Sequence, residues 1–583
     1  SVENLDKTEH ALILGGSRLL HALQQNEGYL SQSTLVKHRE RKCFISSWNS
    51  NVYSKTIAIN LENFALAKAP PPDKKIFILM FDGVALESRR RVSLNDNKVR
   101  GYTRQGNFSG LDLNLTCMQS LIDLEAAEKE GRIELAEEVD VFAIGANDES
   151  NYAISLLAAS ATAKKGASSA SIAPIITNCI TEWKAKAWEQ RGPITTIAHD
   201  GASIMNQAVF PFTTEFQIDH HSKVGAELYG EDGDGLLLFH NRCGNSPDEP
   251  IVDVCDGKHA GKRFRMALKR VGGVRVGATS FDMKLLIRLL SEVGYEKTDV
   301  INWFGEGEED AQNVPAMTKL FKAMASLGKK TRFDFSDERR NTPDFDSLLK
   351  NIRVLSTITE KMFMLITQQD PHADQQTFVP LNTLNEAVST LSHLYFVLFR
   401  EHGSAFVPPQ HYYNVQIWMK GTYISQAVSK SLRIKNYFFY QDSDDRLEGM
   451  FGSARTISHG TNFDLVQFEE RASHLMSLEE IYTRHPEMRK GSRRLGGVLY
   501  DHINPKSILG VSKDYTPVRL AEVSLFACWY RGSRAAAGVL TNILDASKFN
   551  WQAISAERYE GVAPDMLRPK GAYVGVTAAD DEP

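Results

Sequence analysis

The chain has 583 residues, 42% of them hydrophobic and 24% charged, which is the composition of a globular protein and excludes a fibrous or disordered chain. This length predicts about three to four domains. The net charge of −5 excludes a protein that is basic throughout, so a role with nucleic acid would require local basic patches.

Cysteine usage and hydropathy exclude two further classes of protein. The six cysteines are scattered and form no CxxC pair, which argues against a disulfide scaffold or a Cys-rich zinc finger and favours a reducing compartment. No apolar run approaches the ~18 residues of a transmembrane helix, and we expect no signal peptide and no membrane partner.

The first candidate site residue follows an N-terminal helical region, which is predicted for residues 1–70 from the spacing of the leucines in Glu9–Gln25. Prolines in the APPP linker end that region. Lys75–Asp82 then has six apolar residues in a row and predicts a buried central strand that ends at Asp82. A carboxylate at the end of a buried strand is costly unless it is paired or binds a cation.

The next segments predict further strands of the same sheet. Val84–Val92 and Val99–Arg104 are expected to form the next two strands of a meander, and Val139–Ile144 is expected to form another strand. Tyr152–Ala159 is largely apolar and fits either a strand or a helix.

Two later segments repeat the pattern of an apolar strand followed by an aspartate. Pro193–Asp200 (PITTIAHD) ends at Asp200, and Gly201 and a helix follow. Ile251–Asp256 (IVDVCD) ends at Asp256 and is also followed by a helix. Both aspartates are therefore candidates for a second site carboxylate, for the same reason as the first.

The helix predicted after the third of these strands is the clearest basic patch of the chain. Between Gly257 and Gly277 there is no acidic residue, and the basic ones are Lys258, Lys262, Arg263, Arg265, Lys269, Arg270 and Arg275. A second basic stretch, Glu487–Arg494, contains Arg493 and Arg494. Two interpretations stay open: a solvated helix face, or a surface for an anionic partner such as nucleic acid.

The following 150 residues predict a helical region, and a third carboxylate lies beyond it. The predicted helices are Met283–Val293, Val314–Leu327, Leu348–Ile366, Leu381–Arg400 and Val415–Ser431. No GxxxxGK[ST] or GxGxxG motif occurs, so no nucleotide cofactor such as GTP is supported. Asp445–Arg455 (DRLEGMFGSAR) then predicts an amphipathic helix with Glu448 at the edge of its apolar face. By itself, this stretch is more typical of an ordinary surface glutamate on an amphipathic helix than of a functional one.

Aspartates after two strands and a glutamate on a later helix can meet at one edge of a sheet. Carboxylate oxygens in that number suit Mg²⁺ or Mn²⁺. Two such ions about 4 Å apart can activate a nucleophile and stabilise the leaving oxygen in phosphodiester displacement. The residues alone leave open whether Asp200 or Asp256 is the second carboxylate.

The order of these motifs resembles the RNase H-like DDE transposases, in particular the P-element type, and a set of fungal transposon-like proteins. The resemblance runs from about Lys74 to Ser507. The segments that carry it are FDGVALESRRRV, ITTIAHDGASIMNQ, VDVCDGKHAGKRFR, FVPPQHYYNV and DRLEGMFGSAR, with DHINP downstream.

This resemblance implies an α/β fold: an RNase H-like mixed sheet with helices, interrupted by a large all-helical insertion. It implies that Asp82, Asp200 and Glu448 are the catalytic residues and the ligands of two Mg²⁺ or Mn²⁺ ions. Asp200 is preferred because DGAS stands where the family has its second aspartate. Asp256 and His259 would lie next to the metal ligands and help to hold them in position, without binding the ions themselves. The basic residues named above, apart from Arg275, would bind DNA.

The expected domains are an N-terminal helical region (1–70), the first part of the catalytic domain (71–278), the helical insertion (279–435), the second part with the catalytic helix (436–480), and a C-terminal region with a disordered acidic tail (481–583). The resemblance implies a nuclear, homo-oligomeric enzyme that cleaves and transfers strands of double-stranded DNA at transposon ends and target. The alternatives are a domesticated, non-catalytic DNA-binding protein on the same fold, or a nuclease of the RNase H class.

Overall fold

The structure is a computed structural model, and it describes residues 2–38, 44–46, 53–67, 70–93, 97–148, 154–163, 168–229, 236–305, 313–373, 377–456, 462–485, 488 and 519–576. Its contacts divide the chain into two compact units. The first unit comprises residues 1–194 and 444–508, and the second comprises residues 195–443 and 509–583.

The described strands build one five-stranded mixed sheet and three two-stranded sheets. They are β1 (Phe77–Ala85), β2 (Arg91–Ser93), β3 (Lys98–Arg100), β4 (Glu138–Ala146), β5 (Ile154–Thr162), β6 (Ile194–His199), β7 (Phe216–Gln217), β8 (Arg242–Cys243), β9 (Val252–Cys255), β10 (Val274–Val276) and β11 (Thr279–Phe281). The sheet has the order β5–β4–β1–β6–β9. β4 pairs antiparallel with both β1 and β5, whereas β6 and β9 are parallel.

Helices make up most of the remaining described chain. They are α1 (Val2–Glu27), α2 (Gln32–His38), α3 (Tyr53–Asn60), α4 (Met118–Lys129), α5 (Ser169–Lys186), α6 (Trp188–Arg191), α7 (Ser203–Thr213), α8 (Lys223–Tyr229), α9 (Gly257–Lys269), α10 (Met283–Glu292), α11 (Lys297–Phe304), α12 (Val314–Leu327), α13 (Asp337–Arg340), α14 (Phe345–Thr367), α15 (Leu381–His402), α16 (Pro409–Ser431), α17 (Asp445–Thr456), α18 (Leu465–Arg484), α19 (Leu525–Leu540) and α20 (Trp551–Ala556). In the described residues, none of these is long and apolar enough to cross a membrane.

A long helical segment follows the last strand and precedes the helix that carries Glu448, as predicted. Between Met283 and Ser431 the described residues form α10–α16, short 3₁₀ turns and loops, with one isolated bridge between Gln369 and Phe378. The predicted fold class, a mixed sheet with helices and a large helical insertion, is therefore confirmed.

The first predicted strand forms because its apolar run can be covered on both faces. Phe77 to Phe81 are all buried in β1. Continuous burial of this kind is typical of a central strand. Its neighbour β4 pairs along its whole length, from Phe77 opposite Ala146 to Ala85 opposite Glu138.

The predicted meander after β1 was wrong. The antiparallel partner of β1 is β4. The segments predicted as the next two strands instead form the small β2–β3 hairpin, with Arg91 opposite Arg100. The physical reason is the charged stretch Glu87–Arg90, whose side chains are exposed and could not enter a buried sheet. The segment that fitted strand or helix is the strand β5.

The second unit is built around α16. Every residue from His411 to Ser429 is buried, so this helix is covered on all sides and needs no polar face. It contacts α8, α9, α15 and the strand β9. Tyr413 anchors it, because its hydroxyl donates to Asp253 of β9 at 2.9 Å. This contact brings the polar side chains of α16 close to the turn after β6.

Candidate functional site

Asp82 lies within β1 of the first unit and not at its end. The strand continues for three residues to Ala85, because Val84 is buried and keeps pairing with Val139 of β4. Asp82 is half-buried, and its Oδ1 accepts a hydrogen bond from the Gly83 amide at 2.8 Å. The predicted strand end was therefore wrong by three residues, while the predicted setting of the carboxylate beside a buried apolar run is correct.

Asp140 is an acidic residue of this region that the sequence prediction missed. It lies on β4 opposite Gly83, the residue after Asp82, and only 5% of it is exposed. Burial raises the pKa of Asp140 to about 6, although the nearby guanidinium of Arg104, 4.0 Å from its carboxylate, acts in the opposite direction. The available signal was an acidic residue inside the otherwise apolar stretch VDVFAI.

Glu448 lies in the first turn of α17, the helix predicted from the sequence. The apolar face of α17 is buried as expected, with Leu447, Met450, Phe451 and Ala454 at 4% exposure or less, and the helix contacts β1. Arg446 fixes the start of the helix by donating to the Ala146 carbonyl at 2.7 Å. Glu448 itself is half-buried at the edge of this face. The first unit thus contains two of the three predicted carboxylates on elements that touch each other.

Asp200 directly follows β6 in the second unit, where the strand turns into a loop before α7. Its Oδ1 accepts a hydrogen bond from the Ala202 amide at 2.7 Å, and the residue remains half-buried. Gly201 has a φ of 79°, a conformation that glycine adopts without strain. A Cβ at this position would lie 2.5 Å from the Asn414 amide nitrogen and 2.6 Å from the Cys255 sulfur.

Three side chains converge on the carbonyl of Gly201 and hold the Asp200 turn. Gln410 and Asn414, both from α16, donate to this oxygen at 2.9 Å, and Arg263 of α9 donates as well. Asn414 is in turn fixed by Asn206 of α7. Fixing the main chain next to a carboxylate also restricts where that carboxylate can point.

Asp256, the alternative second carboxylate, has a different environment. It is 2% exposed and caps α9, since its Oδ1 accepts a hydrogen bond from the Lys258 amide at 3.2 Å. Asp200, by contrast, keeps part of its surface in solvent. A carboxylate that binds an incoming ion must be accessible, so the burial favours Asp200 over Asp256 as a ligand.

The two histidines near these aspartates are held inside the second unit. His199 is fully buried, its Nδ1 accepts a hydrogen bond from the Gly201 amide at 3.0 Å, and burial lowers its pKa, which favours the neutral ring. His259 is half-buried, with its Nε2 3.2 Å from the Lys262 ammonium. Both contacts are compatible with supporting roles.

Several basic side chains of the segment 258–275 are buried in the second unit or donate hydrogen bonds to main-chain carbonyls there. Arg265 is fully buried and donates to the carbonyls of Trp303 and Asn313, and Lys262 is 8% exposed. Lys269 donates to the Gly305 carbonyl, and Arg270 to the carbonyls of residues 405 and 406. A solvated face was therefore the wrong interpretation for this helix as a whole.

Fewer of the predicted DNA-binding residues are therefore available to contact DNA. With their side chains buried, Lys262 and Arg265 present no charge to a DNA backbone in this conformation. Lys258 is half-buried and accessible, and Arg275 is exposed. Arg493 and Arg494 lie outside the described residues.

The donor set fits a hard divalent cation. Asp82 and Glu448 of the first unit and Asp200 of the second offer carboxylate oxygens only, which are the ligands that Mg²⁺ and Mn²⁺ prefer. That these three bind one pair of ions remains a prediction.

The sheet defines the class of fold. The order β5–β4–β1–β6–β9, with β1, β4 and β5 antiparallel and β6 and β9 parallel, is that of an RNase H-like fold. The chain is similar in structure to the Drosophila P element transposase strand transfer complex, with a TM-score of 0.51 over 84% of this chain and 93% of that chain. Their sequences are 11% identical, so this likeness shows the fold alone. No protein-family model and no curated protein matches the sequence.

Proposed function

We propose that this protein is a DNA transposase-like enzyme that cleaves DNA and transfers strands with the help of divalent metal ions. The observation that carries the proposal is the placement of Asp82 on the central strand β1, Asp200 directly after β6, and Glu448 on a helix that contacts β1. These are three carboxylates on the elements of an RNase H-like fold, and the structure is similar to that of a P element transposase strand transfer complex.

In this proposal Asp82, Asp200 and Glu448 hold two Mg²⁺ or Mn²⁺ ions. When bound, the ions would activate the attacking oxygen and stabilise the leaving oxygen of the phosphodiester. The protein's own part is positioning: β1 fixes Asp82, the Gly201 turn fixes Asp200, and the buried face of α17 fixes Glu448. Without ions, three such carboxylates close together would repel one another, and one would take up a proton.

The proposed substrate is double-stranded DNA, at transposon ends and at a target. The basic residues proposed to contact the DNA phosphates are Lys258, which is half-buried, and Arg493 and Arg494, which lie outside the described residues. We further propose a nuclear location, where such DNA is found, and a homo-oligomer that brings two DNA ends together. GTP is not part of the proposal, because no sequence motif supports it.

The test is a nicking assay on labelled duplex DNA with Mg²⁺, with Mn²⁺ and with EDTA. We expect metal-dependent cleavage by the wild type and none by Glu448→Gln, which keeps the shape of the side chain and removes its charge. Asp112→Asn, an exposed aspartate on a loop of the first unit, is the matched control and should cleave normally.

The same assay separates the alternatives. DNA binding without cleavage under any metal condition would identify a non-catalytic DNA-binding protein. Preferred cleavage of the RNA strand in an RNA–DNA hybrid would identify a nuclease of the RNase H class. Either result would overturn the proposed transposase activity.

A further inference from the structure

A group of metal-ligating side chains lies in the second unit, in the loop between β7 and α8. Asp219, His220 and His221 are consecutive and exposed, and each offers one ligand atom within 4.8 Å of the other two. The two imidazole rings lie 3.8 Å apart between centroids, and Nδ1 of His220 is 3.5 Å from Oδ1 of Asp219. Neighbouring residues in an extended chain point to opposite sides, so this grouping depends on the turn.

Local contacts hold the backbone of this turn. The His221 amide donates to Oδ1 of Asp219 at 3.0 Å, and the Ser222 amide donates to the Asp219 carbonyl at 3.0 Å. A Cβ at Gly225 would lie 2.0 Å from that carbonyl oxygen, so only glycine permits the approach of α8. At the other side, Ile218 donates to the Asn241 carbonyl at 2.9 Å. Only the three side chains need to adjust in order to meet one ion.

The donor set selects a class of metal. Two imidazoles and one carboxylate suit Zn²⁺ and similar transition metals, whereas Mg²⁺ prefers oxygen ligands alone. Three protein ligands with a water in the fourth position form an open tetrahedral site. Bonds of roughly 2.0–2.2 Å require the ligand atoms to move together from their present spacing, which exposed side chains can do by rotation.

We propose that Asp219, His220 and His221 form a site for one zinc-class divalent ion, with water as the remaining ligand. The ion would hold these three side chains together in the loop before α8. This helix packs on the central helix α16 and on α19. This site is independent of the proposed function, because it shares no ligand with Asp82, Asp200 and Glu448 and uses a different class of metal.

The experiment is isothermal titration of the full-length protein with ZnCl₂ in excess MgCl₂, which fills all-oxygen sites. We expect His220→Ala and His221→Ala each to bind one Zn²⁺ fewer per chain than the wild type, or to bind that ion at least tenfold more weakly. His372→Ala is the matched control, since its Nε2 lies 3.3 Å from Glu360 in a pair that belongs to no three-ligand group among the described residues. It should bind zinc as the wild type does.

Cobalt substitution supplies a second readout that does not depend on stoichiometry. Co²⁺ at the proposed site should show visible absorption of a four- or five-coordinate nitrogen and oxygen site, without a thiolate band, and His221→Ala should lose it. Equal zinc binding by the wild type and both histidine variants would overturn the proposal, as would a cobalt spectrum dominated by thiolate. Thermal unfolding in EDTA, expected to be unchanged by either substitution, checks that the variants are folded.

Discussion

Asp140 predicts a specific pH dependence of stability. This carboxyl is 5% exposed on β4, and burial raises its pKa from 3.8 to about 6 in the folded chain. Between these values the folded state keeps the proton while the unfolded state has released it. The folded state therefore binds more protons, and stability must fall as the pH rises through this window. A difference of about 2 pKa units corresponds to about 3 kcal/mol, lost between about pH 4 and pH 6.

The perturbation that isolates this effect is Asp140→Asn, because an amide cannot ionise. Urea unfolding of both proteins at pH values from about 4 to 7 gives the free energy of unfolding for each. We expect the free energy of unfolding of the variant, relative to that of the wild type, to rise by up to about 3 kcal/mol as the pH increases across this range. The rise should be complete near pH 6.5. The absolute stability at one pH is not the test, since Arg104 loses a charged neighbour in the variant. Parallel pH profiles for the two proteins would refute the reasoning.

Three further predictions concern the site and its supports. Gly201→Ala should lower the thermal unfolding temperature and impair cleavage, because a Cβ there would collide with Asn414 and φ is 79°; a variant as stable and active as the wild type would contradict the turn geometry. Leu447→Ala should cost about 2–5 kcal/mol in urea unfolding, since the side chain is fully buried in α17, and a loss below about 1 kcal/mol would show that the helix packs differently. Lys258→Ala should weaken DNA binding alike for all sequences in fluorescence anisotropy and reduce the salt slope by about 1, whereas an unchanged slope would remove Lys258 from the DNA surface.

The sequence predicted those elements whose local pattern and tertiary environment agree. The runs of β1, β6 and β9 form buried strands because apolar and β-branched residues predominate in them, and the carboxylate of Asp253 in β9 accepts a hydrogen bond from Tyr413. The predicted helix Val314–Leu327 is α12 with the same bounds, helped by Asn313 as its cap and a proline in the first turn. In such segments, the hydrophobic periodicity and the capping residues predict the same secondary structure.

The sequence failed where a residue's role depends on a distant partner. The positive charge of segment 258–275 can be read from the sequence. Its hydrogen-bond partners cannot, because Arg263 donates to the carbonyl of Gly201 and Arg265 to the carbonyl of Trp303. The predicted meander failed for a related reason. Strand pairing is set by long-range contacts, and the antiparallel partner of β1 comes some fifty residues later, after a hairpin and α4.

The candidate site also has some features that the sequence could predict and others that it could not. The helix around Glu448 and the turn after Asp200 could be predicted, because their signals are local. The half-buried state of Asp200 and the near-complete burial of Asp256 could not, although they decide which of the two is the better candidate ligand.

The most direct test of the proposed site is single-turnover cleavage of duplex DNA in Mg²⁺ by Asp82→Asn, Asp200→Asn, Asp256→Asn and Glu448→Gln, with DNA binding measured on the same preparations. The proposed set of ligands predicts that Asp82→Asn, Asp200→Asn and Glu448→Gln lose cleavage and keep DNA affinity within a few-fold. It predicts that Asp256→Asn still cleaves, since its carboxylate caps α9. Cleavage retained by Asp200→Asn and lost by Asp256→Asn would contradict it.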